Sequence, residues 1–235
     1  MVKRRIWEID AFRVVAMFLM IGFHFVYNLN VFAGVDISYT TGFWMWVGTV
    51  AGLSFIFVSG ISSGFSSNPV KRGLMVLGFG MIITFVSYLV LGDTYIRFGI
   101  LHLLGVCMIL SPLIHKIHAS SIIILAGIIM VTSNQVANIT VNTNLLLPIG
   151  LRYAGFRSVD YYPLIPYLSV FMLGIIAYKF YYYRGKSLFR FNFENQFITR
   201  VSKSSLTIYL LHQPIILAAM FLFSLIIGNF DLSIF

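Results

Sequence analysis

The first long apolar stretch of the chain carries four polar side chains whose spacing groups them. These are Asp10, Arg13, His24 and Asn28. On an α-helix they fall within about 60° of one another on one face. Ionisable groups inside hydrocarbon are costly, so each is a functional candidate, and an imidazole can transfer protons near neutral pH. The alternative interpretation is that His24 hydrogen-bonds a neighbouring carbonyl and that Asp10 pairs with Arg13.

The position of His24 along this helix sets it apart from the charged pair. At 1.5 Å per residue it lies roughly 17 Å from Arg13, beyond the bilayer midplane toward the outer side. One helix is therefore expected to connect an acid and a base at one membrane face with an imidazole in the opposite half.

Two later apolar stretches also contain polar groups. The fourth apolar stretch of the chain, residues 97–114, begins with Arg97, and His102 lies about a turn and a half deeper. The alternative for Arg97 is that it snorkels to lipid headgroups. In the last stretch, Pro214 frees a backbone carbonyl near His212 and Gln213, which predicts a polar notch in the cytoplasmic half.

The amino-acid composition indicates that these helices lie in a membrane rather than in water. Of 235 residues, 59% are apolar and 10% charged, and the mean hydropathy is +0.92. Soluble domains carry about a quarter charged residues, which excludes an ordinary soluble enzyme and a solvated nucleic-acid binder. The single cysteine, Cys107, excludes an internal disulfide. His115 and His118 have no carboxylate or thiolate partner nearby in sequence, so no metal site is predicted.

Seven apolar runs are long enough to span or nearly span a bilayer core, which takes roughly 20 residues. They predict an all-α, polytopic membrane bundle of about seven transmembrane helices, forming a single domain over residues 1–235 of a multi-pass cell-membrane protein. Glycine, proline and polar clusters separate the runs. The runs are 11–33, 43–66, 73–91, 97–114, 120–137, 164–183 and 204–228.

The net charge of +9 becomes an orientation when it is distributed over these spans. Short cytoplasmic loops collect Lys and Arg. A cytoplasmic N-terminus puts thirteen of the sixteen basic residues inside, giving a net +10 inside and −1 outside. Nucleic acid is therefore not needed as a partner, and the lipid bilayer is.

Five stretches in a shared order resemble a known family. The chain looks like a prokaryotic relative of the membrane family that shares the catalytic module of heparan-alpha-glucosaminide N-acetyltransferase. The resemblance spans nearly the whole chain. The stretches are 5–13 (RIWEIDAFR) with 20–25 (MIGFHF), 55–62 (FIFVSGIS), 95–105 (YIRFGILHLLG), 158–166 (SVDYYPLIP) and 208–214 (IYLLHQP).

This resemblance implies transmembrane acetyl transfer, from cytoplasmic acetyl-CoA to an amine or hydroxyl of a sugar or other small acceptor outside. Arg binds phosphates bidentately, so inner bases are assigned to the donor, although positive-inside topology also explains them. A homodimer stays open. The residues assigned to the donor are Lys71, Arg72, Arg200 and Lys203, with Asp10, Arg13, His212 and Gln213.

Within that reading, His24 is the expected general base, since a near-neutral imidazole can remove the acceptor's proton. Asp160 is expected to orient that histidine or hold an amine acceptor; the alternative is pairing with Arg157 or Arg152. Arg97 is expected to polarise the thioester carbonyl. The residues assigned to the acceptor are Asn28, His102 and Tyr161.

The heparan enzyme's proposed active histidine follows its first helix, and the corresponding segment 34–43 here contains none. His24 is therefore preferred, because the chain is also distantly similar to membrane acyltransferase families that modify cell-surface sugars, whose first helix likewise carries an Arg and then a His. A different class of function, a conduit for an anionic metabolite without catalysis, uses the same polar stripe. The odd number of spans and the lack of an evident internal repeat count against it.

Overall fold

The computed structural model describes residues 5–189, 191, 193 and 195–227. Within them the chain is helical, without a β-strand. All seven predicted apolar runs contain a helix, which confirms the predicted fold class, although residue 228 of the last run lies outside the described residues. The helices are α1 (Trp7–Ala33), α2 (Gly42–Ser63), α3 (Pro69–Leu91), α4 (Ile100–Lys116), α5 (Ala119–Val131), α6 (Ser133–Ala137), α7 (Leu164–Phe180), α8 (Gln196–Lys203) and α9 (Ser205–Ile227).

The apolar helices fall into two groups by length. By length and composition, α1, α2, α3 and α9 can each cross a membrane. The other apolar helices, α4, α5 and α7, have 17, 13 and 17 residues. They are shorter than the roughly 20 residues that a full crossing takes.

The helix ends occur where the sequence allows the chain to turn. Gly34 ends α1 with φ 65°, in the left-handed region that glycine adopts at little cost. Pro69 begins α3, where its missing N–H would have had no helical partner. Asn195 begins α8, and its side chain accepts hydrogen bonds from the backbone N–H groups of Phe197 and Ile198.

The chain forms two compact units. One comprises residues 56–188 and contains the helices α3 to α7. The other comprises residues 5–55 together with those from 189 onward and contains α1, α8 and α9. The helix α2 begins in the second unit and ends in the first.

Glycines permit close helix packing within each unit. In the first unit, a methyl group added at Gly60 of α2 would overlap the Phe171 carbonyl oxygen of α7, and one at Gly174 would overlap the Phe57 carbonyl. In the second unit, a methyl group at Gly48 would approach the Phe23 ring to 2.7 Å. Glycines of α2 thus form packing contacts in both units.

Candidate active site

Two histidines from α1 and α9 lie in direct contact. The His24 and His212 rings pack edge to face with centroids 4.8 Å apart. The sequence predicts these residues in opposite halves of the membrane, but the structure brings them into contact. His212 is only 8% exposed, so this contact is an interior one.

Backbone carbonyls determine which nitrogen of each ring holds the proton. His24 Nδ1 lies 2.9 Å from the Met20 carbonyl oxygen, and His212 Nδ1 lies 2.6 Å from that of Tyr209. A carbonyl oxygen only accepts hydrogen bonds, so Nδ1 is the donor in both rings. Each neutral ring then has its lone pair on Nε2, the atom that a general base uses. The alternative interpretation of His24, a bond to a neighbouring carbonyl, is correct for Nδ1 and leaves Nε2 available.

An amide pair lies beside the two histidines. Gln213 Nε2 donates to Asn28 Oδ1 at 2.9 Å, and Asn28 Nδ2 donates back to Gln213 Oε1 at 3.4 Å. Asn28 is fully buried. Because each amide binds the other, the pair fixes α1 against α9 at the level of the histidines. This use differs from the acceptor and donor contacts that the sequence predicts for Asn28 and Gln213, which stay predictions.

The N-terminal end of α1 contains a buried carboxylate network. Arg5 binds Asp10 through two hydrogen bonds of 2.9 and 2.7 Å, from Nε and Nη2. Ser202 of α8 donates to Asp10 at 2.7 Å and accepts from Arg13 at 2.9 Å. The Arg13 guanidinium is 3.9 Å from Asp10, so the pairing given as the alternative interpretation is present, but Arg5 binds Asp10 more closely, at 2.7 Å.

This network fastens α8 to α1. Asp10 is 4% exposed, and its carboxylate accepts three hydrogen bonds. These contacts favour a structural role for Asp10 over the predicted contact with acetyl-CoA. The hydrogen bonds to Asp10 also raise the pKa of the Arg5 guanidinium. Arg200 and Lys203 lie on the exposed side of α8, where they are accessible to an anion.

The remaining predicted donor residues, Lys71 and Arg72, are in the first turn of α3 and are exposed. They belong to the first unit, whereas Arg200 and Lys203 belong to the second. Accessibility is consistent with phosphate binding and equally with a solvated basic loop.

Two loop segments of the first unit run side by side. Val159 N–H donates to the Thr94 carbonyl and Tyr162 N–H to the Phe98 carbonyl, at 3.0 and 2.9 Å. A parallel bridge joins Phe98 with Tyr161. The two segments belong to stretches 95–105 and 158–166, so these two stretches of the family resemblance are in contact.

Asp160 lies at the start of α4. Its Oδ2 accepts a hydrogen bond from the Ile100 backbone N–H at 3.1 Å, and a methyl group at Gly99 would overlap that oxygen. Burial raises the pKa of this carboxyl to about 6, while the bond from Ile100 lowers it. No ion pair with Asp160 exists among the described residues, so the alternative interpretation, a pairing with Arg157 or Arg152, is wrong.

His102 is bound on both ring nitrogens. Gly99 N–H donates to Nδ1 at 3.2 Å, so Nε2 donates to the Thr84 hydroxyl, 3.1 Å away. Thr84 in turn donates to the Ile96 carbonyl at 2.7 Å. Because no ring atom of this buried histidine stays free, the structure favours a role in stabilising the start of α4 over the predicted acceptor contact.

Arg97 is held by aromatic rings and a backbone carbonyl. Its guanidinium carbon is 4.2 Å from the centroid of the Tyr95 ring, and Nη1 donates to the Arg157 carbonyl at 2.6 Å. This is a cation–π arrangement within the protein and differs from snorkelling. Tyr161 donates its hydroxyl to the Leu147 carbonyl at 2.7 Å. Carbonyl polarisation by Arg97 and acceptor binding by Tyr161 stay predictions.

Comparison with known proteins identifies the family. The family model for the catalytic region of heparan-alpha-glucosaminide N-acetyltransferase matches residues 5–214. The chain belongs to this family. No match was found among curated proteins or among solved structures. The predicted family is confirmed, and the long apolar helices agree with an acyltransferase of a membrane.

The region of the chain that matches this acetyltransferase family contains a hydrogen-bonding residue, Ser202, that was not predicted from the sequence. Ser202 binds both Asp10 and Arg13, and it is a small polar residue in a helix of mixed composition, which gives no distance signal in the sequence. An open depression of about 550 Å³ in the loop after α6 contains none of the predicted site residues; its lining comprises Val141, Asn142, Thr143, Asn144, Tyr153 and Ala154.

Proposed function

We propose that this chain transfers an acetyl group from cytoplasmic acetyl-CoA to an amine or hydroxyl acceptor on the outer side of a cell membrane. It does so as a multi-pass, single-domain enzyme with its N-terminus in the cytoplasm. Membership of the acetyltransferase family over residues 5–214 supports the reaction class. His24 supports the chemistry, because its Nδ1 is bound to the Met20 carbonyl and its Nε2 has no hydrogen bond from the described residues.

The acyl transfer needs a base at the moment of attack. His24 Nε2 takes the proton from the acceptor nitrogen or oxygen while that atom attacks the thioester carbonyl. The carbon–sulfur bond then breaks and CoA leaves as the thiol after gaining a proton. The Met20 carbonyl stabilises the imidazolium through the Nδ1 hydrogen bond, as an acceptor behind a catalytic histidine does.

The donor's phosphates are assigned to exposed bases. Arg200 and Lys203 are exposed on α8, and the exposed Lys71 and Arg72 lie in the first turn of α3. On the acceptor side, Asp160 is proposed to hold an amine and Arg97 to polarise the carbonyl. A sugar amine is the favoured acceptor because the family's named member acts on a glucosaminide.

Purified protein in lipid vesicles tests the reaction with radiolabelled acetyl-CoA and a panel of amino sugars and hydroxylated glycans. His24→Gln should lower kcat by about 10² to 10⁴, the usual contribution of a general base. The matched control is His118→Gln, because His118 is exposed at the start of α5. Equal rates for the two variants would remove His24 from the mechanism. Acetyl-CoA binding without product on any acceptor would favour the conduit function.

Topology is tested separately with single cysteines at Asp36→Cys and Lys186→Cys. A membrane-impermeant maleimide should label the first from outside and the second only after permeabilisation. The native Cys107 is fully buried and should contribute little background. Labelling of both sites from the same side would refute the proposed orientation.

A further inference from the structure

His212 contains a buried nitrogen without a partner. Its Nε2 is inaccessible to solvent and has no hydrogen bond from the described residues. Leaving a buried polar atom without a hydrogen bond is unfavourable. A leucine at this position would avoid that cost, so the imidazole is retained at an energetic penalty in the resting enzyme.

The neighbouring ring cannot satisfy this atom in the neutral state. The Tyr209 carbonyl holds the His212 proton on Nδ1, and the Met20 carbonyl does the same in His24. Both Nε2 atoms are then acceptors, and two acceptors cannot bond to each other. One additional proton removes the conflict, because a proton on either Nε2 gives that nitrogen a hydrogen to donate.

The proposed reaction generates one such proton. The acceptor loses a proton when it attacks the acetyl carbonyl, and the sulfur of CoA must gain one when it leaves. A single base that performs both steps must reach both atoms. Two imidazoles with centroids 4.8 Å apart can divide the work.

We infer that His212 is a second catalytic residue, the acid that protonates the leaving thiolate of CoA. This inference rests on the proposed function. His24 Nε2 takes the acceptor's proton, the new carbon–nitrogen or carbon–oxygen bond forms, and the carbon–sulfur bond breaks. The proton passes from His24 to Nε2 of His212 and, once the thioester of the bound donor has reached that buried nitrogen, from there to sulfur. The products are the acetylated acceptor and CoA thiol, and both rings return to neutrality.

The substitution His212→Asn isolates the atom concerned. The amide NH₂ of asparagine can occupy the place of Nδ1 and still donate to the Tyr209 carbonyl, whereas nothing replaces Nε2. His212→Gln is the second variant, which keeps a polar group at the depth of Nε2 without an imidazole's proton affinity. Either variant that keeps the thermal stability of the wild type is suitable for kinetics.

The leaving group provides a readout that a structural role would not change. Acetyl-CoA is compared with the acetyl ester of the selenium analogue of CoA, which has the same binding groups but leaves as a much weaker base that needs no acid. With acetyl-CoA, His212→Asn should lose about 10²-fold or more in kcat. With the selenoester most of this loss should disappear, while His24→Gln should stay impaired with both donors.

The same loss for His212→Asn with both donors, or no loss with acetyl-CoA, would overturn the role of His212 and leave the proposed function intact. A wild-type protein that transfers acetyl from neither donor would overturn the proposed function itself. The control His118→Gln should match the wild type with both donors.

Discussion

The substitution Asp160→Asn should stabilise the protein at neutral pH, although it removes a carboxylate that begins a helix. The Asp160 side chain lies at the first turn of α4, in a partly buried position, and accepts one hydrogen bond from the Ile100 N–H. Asparagine is nearly isosteric, and its Oδ1 can accept the same bond. The substitution therefore changes the charge and little else.

The size of the expected stabilisation follows from the raised pKa of Asp160. Burial raises the pKa of Asp160 to about 6 in the folded protein, whereas an unfolded chain has an ordinary aspartate. Raising a carboxyl pKa from about 4 to about 6 corresponds to about 3 kcal/mol. The folded state binds the proton more tightly, so the free energy of unfolding falls as the pH rises from about 4 to about 6. Above about pH 6 the whole penalty is present, and Asp160→Asn avoids it.

Thermal unfolding in detergent at several pH values between 4 and 8 measures this. Wild type and Asp160→Asn should unfold at similar temperatures at pH 4. At pH 7 the variant should unfold higher, by roughly 6 to 12 °C, taking about 2 to 4 °C per kcal/mol for a chain of this size. The control is Asp93→Asn, because Asp93 is exposed in the neighbouring loop and its substitution removes the same charge.

Two results would refute the reasoning about burial: a variant less stable than wild type at pH 7, or a stability difference between the two proteins that does not grow between pH 4 and 7. Activity gives a separate answer. If Asp160 holds an amine acceptor as proposed, the stabilised variant should lose turnover, because stability and function compete at such a site. A stabilised and fully active variant would limit Asp160 to its position at the start of α4.

Two further substitutions test the packing and the buried network. Gly60→Ala should destabilise by about 1 to 3 kcal/mol or more, since the methyl group meets the Phe171 backbone carbonyl; Gly78→Ala in α3 meets nothing within 4 Å and should be neutral or stabilising by up to about 1 kcal/mol, so equal thermal stability for both variants would contradict the close crossing. Ser202→Ala should cost about 1 to 3 kcal/mol by removing a donor from the buried Asp10 carboxylate; thermal unfolding identical to wild type would show that the network adds no stability.

The hydropathy of the chain was sufficient to predict the apolar helices, because a bilayer imposes length and polarity on each span. It did not predict the polar helix α8. The helical period also placed Asp10, Arg13 and Asn28 on a face that meets protein, and the structure gives each of them a partner in α8 or α9. The helical period indicates which face of a helix a residue lies on, but it gives no information about which residues of another helix lie close to that face. Ser202 and Gln213 therefore could not be assigned as those partners.

The vertical register of α9 was beyond the sequence for the same reason. Counting residues from the start of the helix puts His212 in one half of the membrane, but α8 precedes α9 and is fastened to α1 through Asp10. The contact with His24 is set by that attachment and by the amide pair beside it. Neither leaves a periodic signal.

The contact of Asp160 with Ile100 shows what the sequence could not predict in the loops. It meets Ile100 across sixty residues of chain through backbone pairing between two irregular segments. Hydropathy describes neither segment, and the nearby arginines suggested an ion pair that does not form. The order of the family's stretches was the better guide, because 95–105 and 158–166 are in contact.

Two of the remaining stretches, 5–13 with 20–25 and 208–214, show the same pattern in the second unit. Stretch 20–25 contains His24, stretch 208–214 contains His212, and the two rings touch. Stretch 5–13 contains Asp10, which binds the helix that leads into α9. Both of these stretches therefore contain polar side chains that meet another helix. Because apolar packing alone would tolerate many sequences in a bilayer, such contacts indicate the positions where the fold and the proposed chemistry constrain residue type.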